Sequence, residues 1–282
     1  MSIQIVGGGL VGLCCAWELV ERGHKVTVWD SGKYNASWAG AGMLAPDSET
    51  FPDPLWRERA RKAALDFAAW IERLRQASGG GEIDFLAPVE EPGGRVRDGH
   101  VDPRELVQRL RHCLKGRVEF KQQRVDDLPQ GKVVVAAGAA ANEIGQNLVG
   151  WPPVQPVKGY LLAWEGLEAG LLDGVQHLGA TYVFQRRRGT VIAGSTEERC
   201  GFDERLDWDK LRDLAQRAAV VVPKLAGKTP AQTWWGFRPG TPDGNPVVQR
   251  WNEDVVLAYG HYRNGILLAP WTGQWVAEQF SD

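Results

Sequence analysis

Three glycines near the start of the chain, Gly7, Gly9 and Gly12, restrict its fold more than any other feature of the 282 residues. An apolar run at 3–6 precedes them, residues 10–22 have helical spacing up to Gly23, and residues 25–30 alternate like a buried strand. The motif therefore occupies the first turn of a βαβ unit. There Gly7 permits the tight turn, Gly9 admits a pyrophosphate to the backbone, and Gly12 lets helix and strand pack closely. The helix that opens at Leu10 and Val11 offers free N–H groups to phosphate. Asp30, about 20 residues past the middle glycine and followed by Ser31, ends the next strand and presents an acceptor to ribose hydroxyls. The motif predicts a dinucleotide site and does not separate NAD from FAD.

Further along, the glycine- and alanine-rich stretch 35–46 reads as a loop. Residues 54–76 repeat apolar side chains at Leu55, Ala60, Ala64, Phe67, Ala68, Ile71 and Leu74 with arginines opposite, which predicts one long amphipathic helix. The Pro-, Gly- and charge-rich 88–99 reads as a loop or short hairpin. Asp102-Pro103 caps and opens a helix to about 114. Apolar runs at 118–120 and 133–136 have strand length, the second running into Ala137 and Gly138. From 157 the texture turns β-rich, with strands at 160–164, 182–185 and 190–193 and one helix at 207–221. Strands at 246–249 and 255–259 and a closing helix at 265–280 follow. The predicted fold class is α/β: a Rossmann-like nucleotide-binding region at 1–82, 100–153 and 244–282, interleaved with a smaller β-rich α+β region at 83–99 and 154–243.

Composition narrows the function classes. With 33 Lys+Arg against 35 Asp+Glu, a net charge of −2 gives no global field for nucleic acid or anionic lipid, so any anion site is local. No stretch has the unbroken apolar length of a membrane span. The segment 3–20 lacks the basic start of a signal peptide and is broken by glycines. Cys14, Cys15, Cys113 and Cys200 lack metal-ligand spacing and read as reduced thiols, so the expected location is cytoplasmic.

Two arginines near the end carry the chemistry. Arg238 lies in Gly236-Phe237-Arg238-Pro239-Gly240, and Arg263 in His261-Tyr262-Arg263-Asn264-Gly265. A planar guanidinium fork suits bidentate carboxylate binding; the alternative for each is a structural ion pair. Tyr182 can add a phenolic O–H to the same carboxylate, or simply pack. A late apolar strand, a final strand, a glycine loop and a closing helix form the layout of FAD proteins whose last helix points at the flavin ring.

These segments resemble the glycine oxidase and D-amino-acid oxidase family of FAD flavoproteins, and within it the glycine oxidase branch of thiamine biosynthesis. The resemblance runs nearly end to end. It rests on Ile5-Val6-Gly7-Gly8-Gly9, Ala39-Gly40-Ala41-Gly42-Met43-Leu44, Val101-Asp102-Pro103, Val157-Lys158-Gly159, Phe237-Arg238-Pro239-Gly240-Thr241-x-Asp243-Gly244 and Gly260-His261-Tyr262-Arg263-Asn264-Gly265-Ile266-Leu267-Leu268-Ala269-Pro270, the last two being the most specific. It implies non-covalent FAD held by Gly7, Gly9, Leu10, Val11, Gly12, Asp30, Ser31, Ala41, Gly42, Met43, Val125, Ala137, Gly138, His261, Arg263, Asn264, Gly265, Ile266 and Leu267. It further implies that Arg238 pairs with the substrate carboxylate, assisted by Tyr182 and Arg263, with Met43 near flavin and substrate.

The implied activity is oxidative deamination of glycine, sarcosine or a small D-amino acid by hydride transfer to flavin, with molecular oxygen as acceptor and no catalytic side chain. A dehydrogenase using another acceptor and a non-catalytic flavin-binding relative are the alternatives. No nucleic acid or membrane partner is expected, and oligomeric state is left open. The chain departs from the family in four places. Asp30 stands where glutamate is usual, the stretch between Gln76 and Val101 is shortened, Trp271 replaces a small residue, and Glu197 replaces an apolar one and is expected to face solvent.

Overall fold

A computed structural model describes residues 2–32 and 36–280; Asn35, the first residue of the predicted loop, lies outside them, as do the end residues Met1, Ser281 and Asp282. The glycine motif sits where the sequence puts it. Strand Ile3–Val6 runs into helix Leu10–Glu21, and strand Val26–Trp29 returns parallel, Ile3 opposite Val26 and Val6 opposite Trp29. On one side Glu119–Lys121 adds in parallel to Val26–Trp29. On the other, Val133–Val135 and then Val255–Tyr259 add in parallel, and Val247–Arg250 closes the edge antiparallel. The result is a six-stranded sheet among the described residues. Its central strands are buried on both faces, as the unbroken Val133-Val134-Val135 run demands.

One face of that sheet carries helices Leu10–Glu21 and Gly265–Glu278, whose packing against each other brings the two ends of the chain together. Helix Pro54–Ala77 lies across them, starting where the Asp53 carboxylate accepts the Leu55 N–H at 2.8 Å and Pro54 fills the first turn. Its buried stripe is Trp56, Ala60, Ala63, Ala64, Phe67, Trp70, Ile71 and Leu74. Leu55 and Ala68, expected inside, face out, because the stripe turns about one residue further round the helix to seat two tryptophans. Trp271 belongs to this helix–helix seam. Its ring meets Trp56 edge-on at 5.5 Å, with the Arg59 guanidinium 5.3 Å from its centroid.

The second layer is an antiparallel five-stranded sheet in the order Gln176–Leu178, Thr181–Gln185, Val191–Gly194, Gln155–Trp164, Gln232–Gly240. Helix Trp208–Val221, capped by Asp207, covers one face of it. The strand Gln232–Gly240 is absent from the sequence reading because Gly236, Pro239 and Gly240 punctuate it. It lies at the sheet edge, where proline costs no ladder bond. The predicted 35–46 loop also contains a short helix, Ala36–Ala39, and a two-residue strand, Met43–Leu44, which pairs with Gly99–Val101. Residues 88–99 do contain a hairpin, Val89–Glu90 against Val96–Arg97.

Candidate functional site

A cleft runs from the carboxyl ends of the central parallel strands to the face of the antiparallel sheet opposite helix Trp208–Val221. At its first end Gly7 has φ +121, and a Cβ there would lie 2.2 Å from the Ala136 carbonyl oxygen. A Cβ on Gly12 would lie 1.9 Å from Gly7 O, so Gly12 sets the distance between helix and turn from behind the cleft wall. Gly9 occupies the N-cap of helix Leu10–Glu21 with no side chain to satisfy the amides. The Leu10 N–H already donates to Ser37 Oγ at 2.8 Å, which marks that amide as accessible to an oxygen acceptor. A backbone turn stripped of Cβ atoms and facing a helix N-terminus fits the pyrophosphate of a dinucleotide.

Most of the sequence-predicted cofactor residues line this cleft: Gly7, Gly9, Leu10, Val11, Asp30, Ser31, Ala41, Gly42, Met43, Val125, Ala137, Gly138, His261, Arg263, Gly265 and Ile266. Asn264 and Leu267 are buried behind it. Asp30 is not free, since Arg111 from helix Pro103–Leu114 donates to its Oδ2 and the Gly32 N–H to its Oδ1 at 2.9 Å. A carboxylate accepts about four hydrogen bonds, so two sites remain for a ribose. No cysteine lines the cleft among the described residues, so no thiol in that lining is placed to bond a flavin.

The loop 39–43, which passes under the middle of the cleft, is held from the antiparallel sheet. Trp234 Nε1 donates to Ala39 O at 2.9 Å and the buried Arg186 Nη2 to Ala41 O at 2.9 Å, while the Val101 N–H donates to Gly42 O at 2.9 Å. Met43 thereby faces the cleft from a fixed position.

At the far end the predicted substrate residues converge. Arg238 pairs across the sheet with Val157, and its guanidinium lies over Gly159, where a Cβ would stand 2.2 Å from Nη2. Its Nη2 donates to Ser195 Oγ at 2.6 Å and its Nη1 to Thr196 O at 3.2 Å. Arg263 Nη1 reaches the same Ser195 Oγ at 3.2 Å, while its Nε donates to Glu49 Oε2 at 2.6 Å. Tyr182 lies opposite Gly194, and the Arg263 guanidinium carbon is 5.9 Å from its ring centroid. Glu197 is exposed beside Arg199, 3.5 Å away, as expected for a solvent-facing residue.

Electrostatics follow from this packing. Burial lowers the Arg238 pKa, and the neighbouring Arg263 lowers it further, although a guanidinium remains charged. Burial acts the same way on Arg263 but loses to the Glu49 carboxylate, so its pKa ends above the ordinary value. Burial raises Tyr182 against the pull of the two arginines, and pushes Tyr262 up to about 12 with Glu197 adding to it. Burial brings His261, whose Nε2 lies 2.9 Å from Thr272 Oγ1, down to about 4, so it is neutral over the physiological range. At this end of the lining two cations, Arg238 and Arg263, have one anion between them, Glu49.

Sequence reasoning missed Glu49, Ser195, Ser37 and Arg111, and named Gly159 only within the Val157-Lys158-Gly159 segment, with no role. Ser195 is set by the register of Thr181–Gln185 on Val191–Gly194, and Glu49 by a turn in which its N–H bonds Ala45 O at 3.1 Å. Neither carries a local signal.

Comparison with known proteins agrees with this architecture. The family model described as DAO, FAD dependent oxidoreductase, matches residues 2–88 and 67–279. A protein of Pseudomonas putida named glycine oxidase is 29% identical, over 95% of this chain and 91% of its own. The crystal structure of glycine oxidase from Geobacillus kaustophilus superposes with a TM-score of 0.85 at 25% identity, covering 98% of this chain and 93% of that one. The Synechocystis protein named bifunctional protein ThiO/ThiG is 29% identical over the full chain, which spans 52% of that longer relative. With the family model covering nearly the whole chain and the cleft built as that cofactor requires, the protein belongs to the DAO family of FAD-dependent oxidoreductases.

Proposed function

We propose that the chain oxidises glycine, sarcosine or a small D-amino acid at its α-carbon. The product is an imino acid that hydrolyses to the 2-oxo acid and its amine, ammonia for a primary amino acid, while molecular oxygen is reduced to hydrogen peroxide. One observation carries the reading. Among the described residues lining the cleft, Arg238 is a cation with no carboxylate within 4 Å, and its fork points beside Tyr182 and Ser195 into the space a small anion would fill. A guanidinium drawn out of water without a counter-ion calls for one in its ligand.

When bound, FAD supplies the two-electron acceptor that the protein lacks. The residues supply position. Arg238 takes the substrate carboxylate, the Tyr182 hydroxyl adds a hydrogen bond to it, Ser195 keeps the guanidinium from swinging, and Met43 with the aliphatic walls excludes water. At the substrate end no lining side chain is a competent base near neutrality. Glu49 is paired, His261 is neutral and bonded to Thr272, and burial holds Tyr182, Tyr259 and Tyr262 protonated. The amine proton must therefore leave to solvent.

Under anaerobic conditions, glycine or a small D-amino acid should bleach the flavin bands of the holoprotein, and air should restore them with peroxide release. The kcat/KM profile should rise with pH as the substrate amine loses its proton, and this limb should move with the amine pKa across a substrate series. Bleaching by none of these compounds would remove the reading.

Gly159→Ala gives a second check. Its Cβ occupies the space of the Arg238 fork rather than of any backbone, so the fork must swing aside while the sheet persists. KM for the amino acid should rise about tenfold or more, equivalent to roughly 1.4 kcal/mol, with Tm nearly unchanged.

A further inference from the structure

We propose that Glu49 sets the charge of the substrate: by holding Arg263 it restricts the cleft to molecules with one carboxylate and excludes those with two. The inference rests on the reading that Arg238 binds a substrate carboxylate, and adds to it a residue and a selection rule.

The charges lining the cleft can be followed one by one. Asp30 is engaged by Arg111, and Arg124 by Asp126 and Glu143, both toward the nucleotide end. At the substrate end stand Arg238, Arg263 and Glu49. Arg238 and Arg263 flank a single oxygen, Ser195 Oγ, at 2.6 and 3.2 Å, so two like charges share a desolvated corner. Glu49 Oε2 accepts from Arg263 Nε at 2.6 Å, with side-chain exposures of 12% and 18%. That degree of burial makes the pair far less screened by salt than a surface bridge.

Glu49 is not there by chance of a mobile loop. Asp47, two residues earlier, accepts from Arg61 Nε at 2.6 Å and from the Val96 N–H at 2.7 Å, which pins the turn from both sides. The side chains lining the substrate end therefore sum to +1, with Glu197 and Arg199, 3.5 Å apart outside the lining, offsetting each other, and this is matched by one carboxylate beside a neutral amine. A second carboxylate on the substrate would face Glu49 and find Arg263 already taken. Removing the Glu49 charge makes the corner +2, which suits a dianion.

The test uses the FAD-loaded protein and compares D-alanine with D-aspartate as substrates, and acetate with malonate as unreactive ligands titrated by their perturbation of the flavin spectrum. Glu49→Gln keeps the size of the side chain and drops its charge. The ratio of dicarboxylate to monocarboxylate, in kcat/KM and in Kd, should rise about tenfold or more, given a unit charge acting over roughly 6 Å in a medium of effective dielectric about 20. The double variant E49Q/R263Q returns the corner to +1 and should return the ratio to that of the unaltered protein, which the loss of a merely structural ion pair would not do. Glu49→Asp should keep the original preference.

An unchanged ratio in Glu49→Gln, with Arg238→Ala weakening mono- and dicarboxylates alike, overturns the role of Glu49 and leaves the carboxylate reading standing. Indifference of every carboxylate to Arg238→Ala overturns that reading itself. Should Glu49→Gln fail to fold, the double variant and Glu49→Asp decide. Monocarboxylate preference in both supports the rule, and dicarboxylate preference in either ends it.

Discussion

Arg238→Ala should lower kcat/KM for the best amino-acid substrate by about thirty- to several-thousand-fold, corresponding to about 2–5 kcal/mol, while FAD stays bound. The size follows from what is left behind. Truncation strands a carboxylate in a corner whose remaining cation, Arg263, is committed to Glu49, so the substrate charge has no partner to turn to. Arg238→Lys should recover only part of the loss, because a point charge reproduces neither the fork nor the two bonds to Ser195 Oγ and Thr196 O that orient it. Steady-state kinetics beside a visible spectrum of the purified variant checks both statements. An Arg238→Ala protein with normal kcat/KM for every amino acid oxidised by the parent removes Arg238 from the site.

Gly12→Ala should yield a protein that neither retains FAD nor folds to normal stability. The added Cβ meets Gly7 O at 1.9 Å and Gly7 C at 3.1 Å, both backbone atoms of a turn that is itself locked against Ala136 O. No side chain can move to relieve the contact. Helix Leu10–Glu21 must lift from the sheet, and with it the seam to Gly265–Glu278 opens. A cost of at least about 3 kcal/mol is expected, at the upper end of overpacking effects because two backbone segments are forced apart. Thermal unfolding of the apoprotein, followed by FAD titration, separates the two losses. Full FAD occupancy with an unshifted Tm would contradict the packing argument.

What could be read ahead of the structure was local in origin. Asp102-Pro103 and the periodic apolar residues of 54–76 announce helices because capping and amphipathicity operate over a few residues. The βαβ unit was legible for the same reason, since glycines at fixed spacing have few other uses. Strand Gln232–Gly240 was not, because its residues look like a turn until an edge position in a sheet excuses Pro239. The substrate corner divides in the same way. Arg238, Arg263 and Tyr182 stand in recognisable segments, whereas Ser195 and Glu49 acquire meaning only from partners 43 and 214 residues away. Arg111 on Asp30 is a contact across 81 residues and equally silent in the sequence.

The route of the chain through the six-stranded sheet has a consequence for how the protein is made. Val255–Tyr259 pairs with Val133–Val135, and helix Gly265–Glu278 seals against Leu10–Glu21, after the whole antiparallel sheet has been threaded between them. A ribosome delivers the glycine turn long before its covering helix. Through most of synthesis the nucleotide half is an unfinished sheet with an open flank, while the antiparallel sheet, complete once residue 240 has emerged, is free to fold first. The cradle is then completed only after the antiparallel sheet has emerged, and a nascent chain stalled before Val255 lacks the strand that completes its flank.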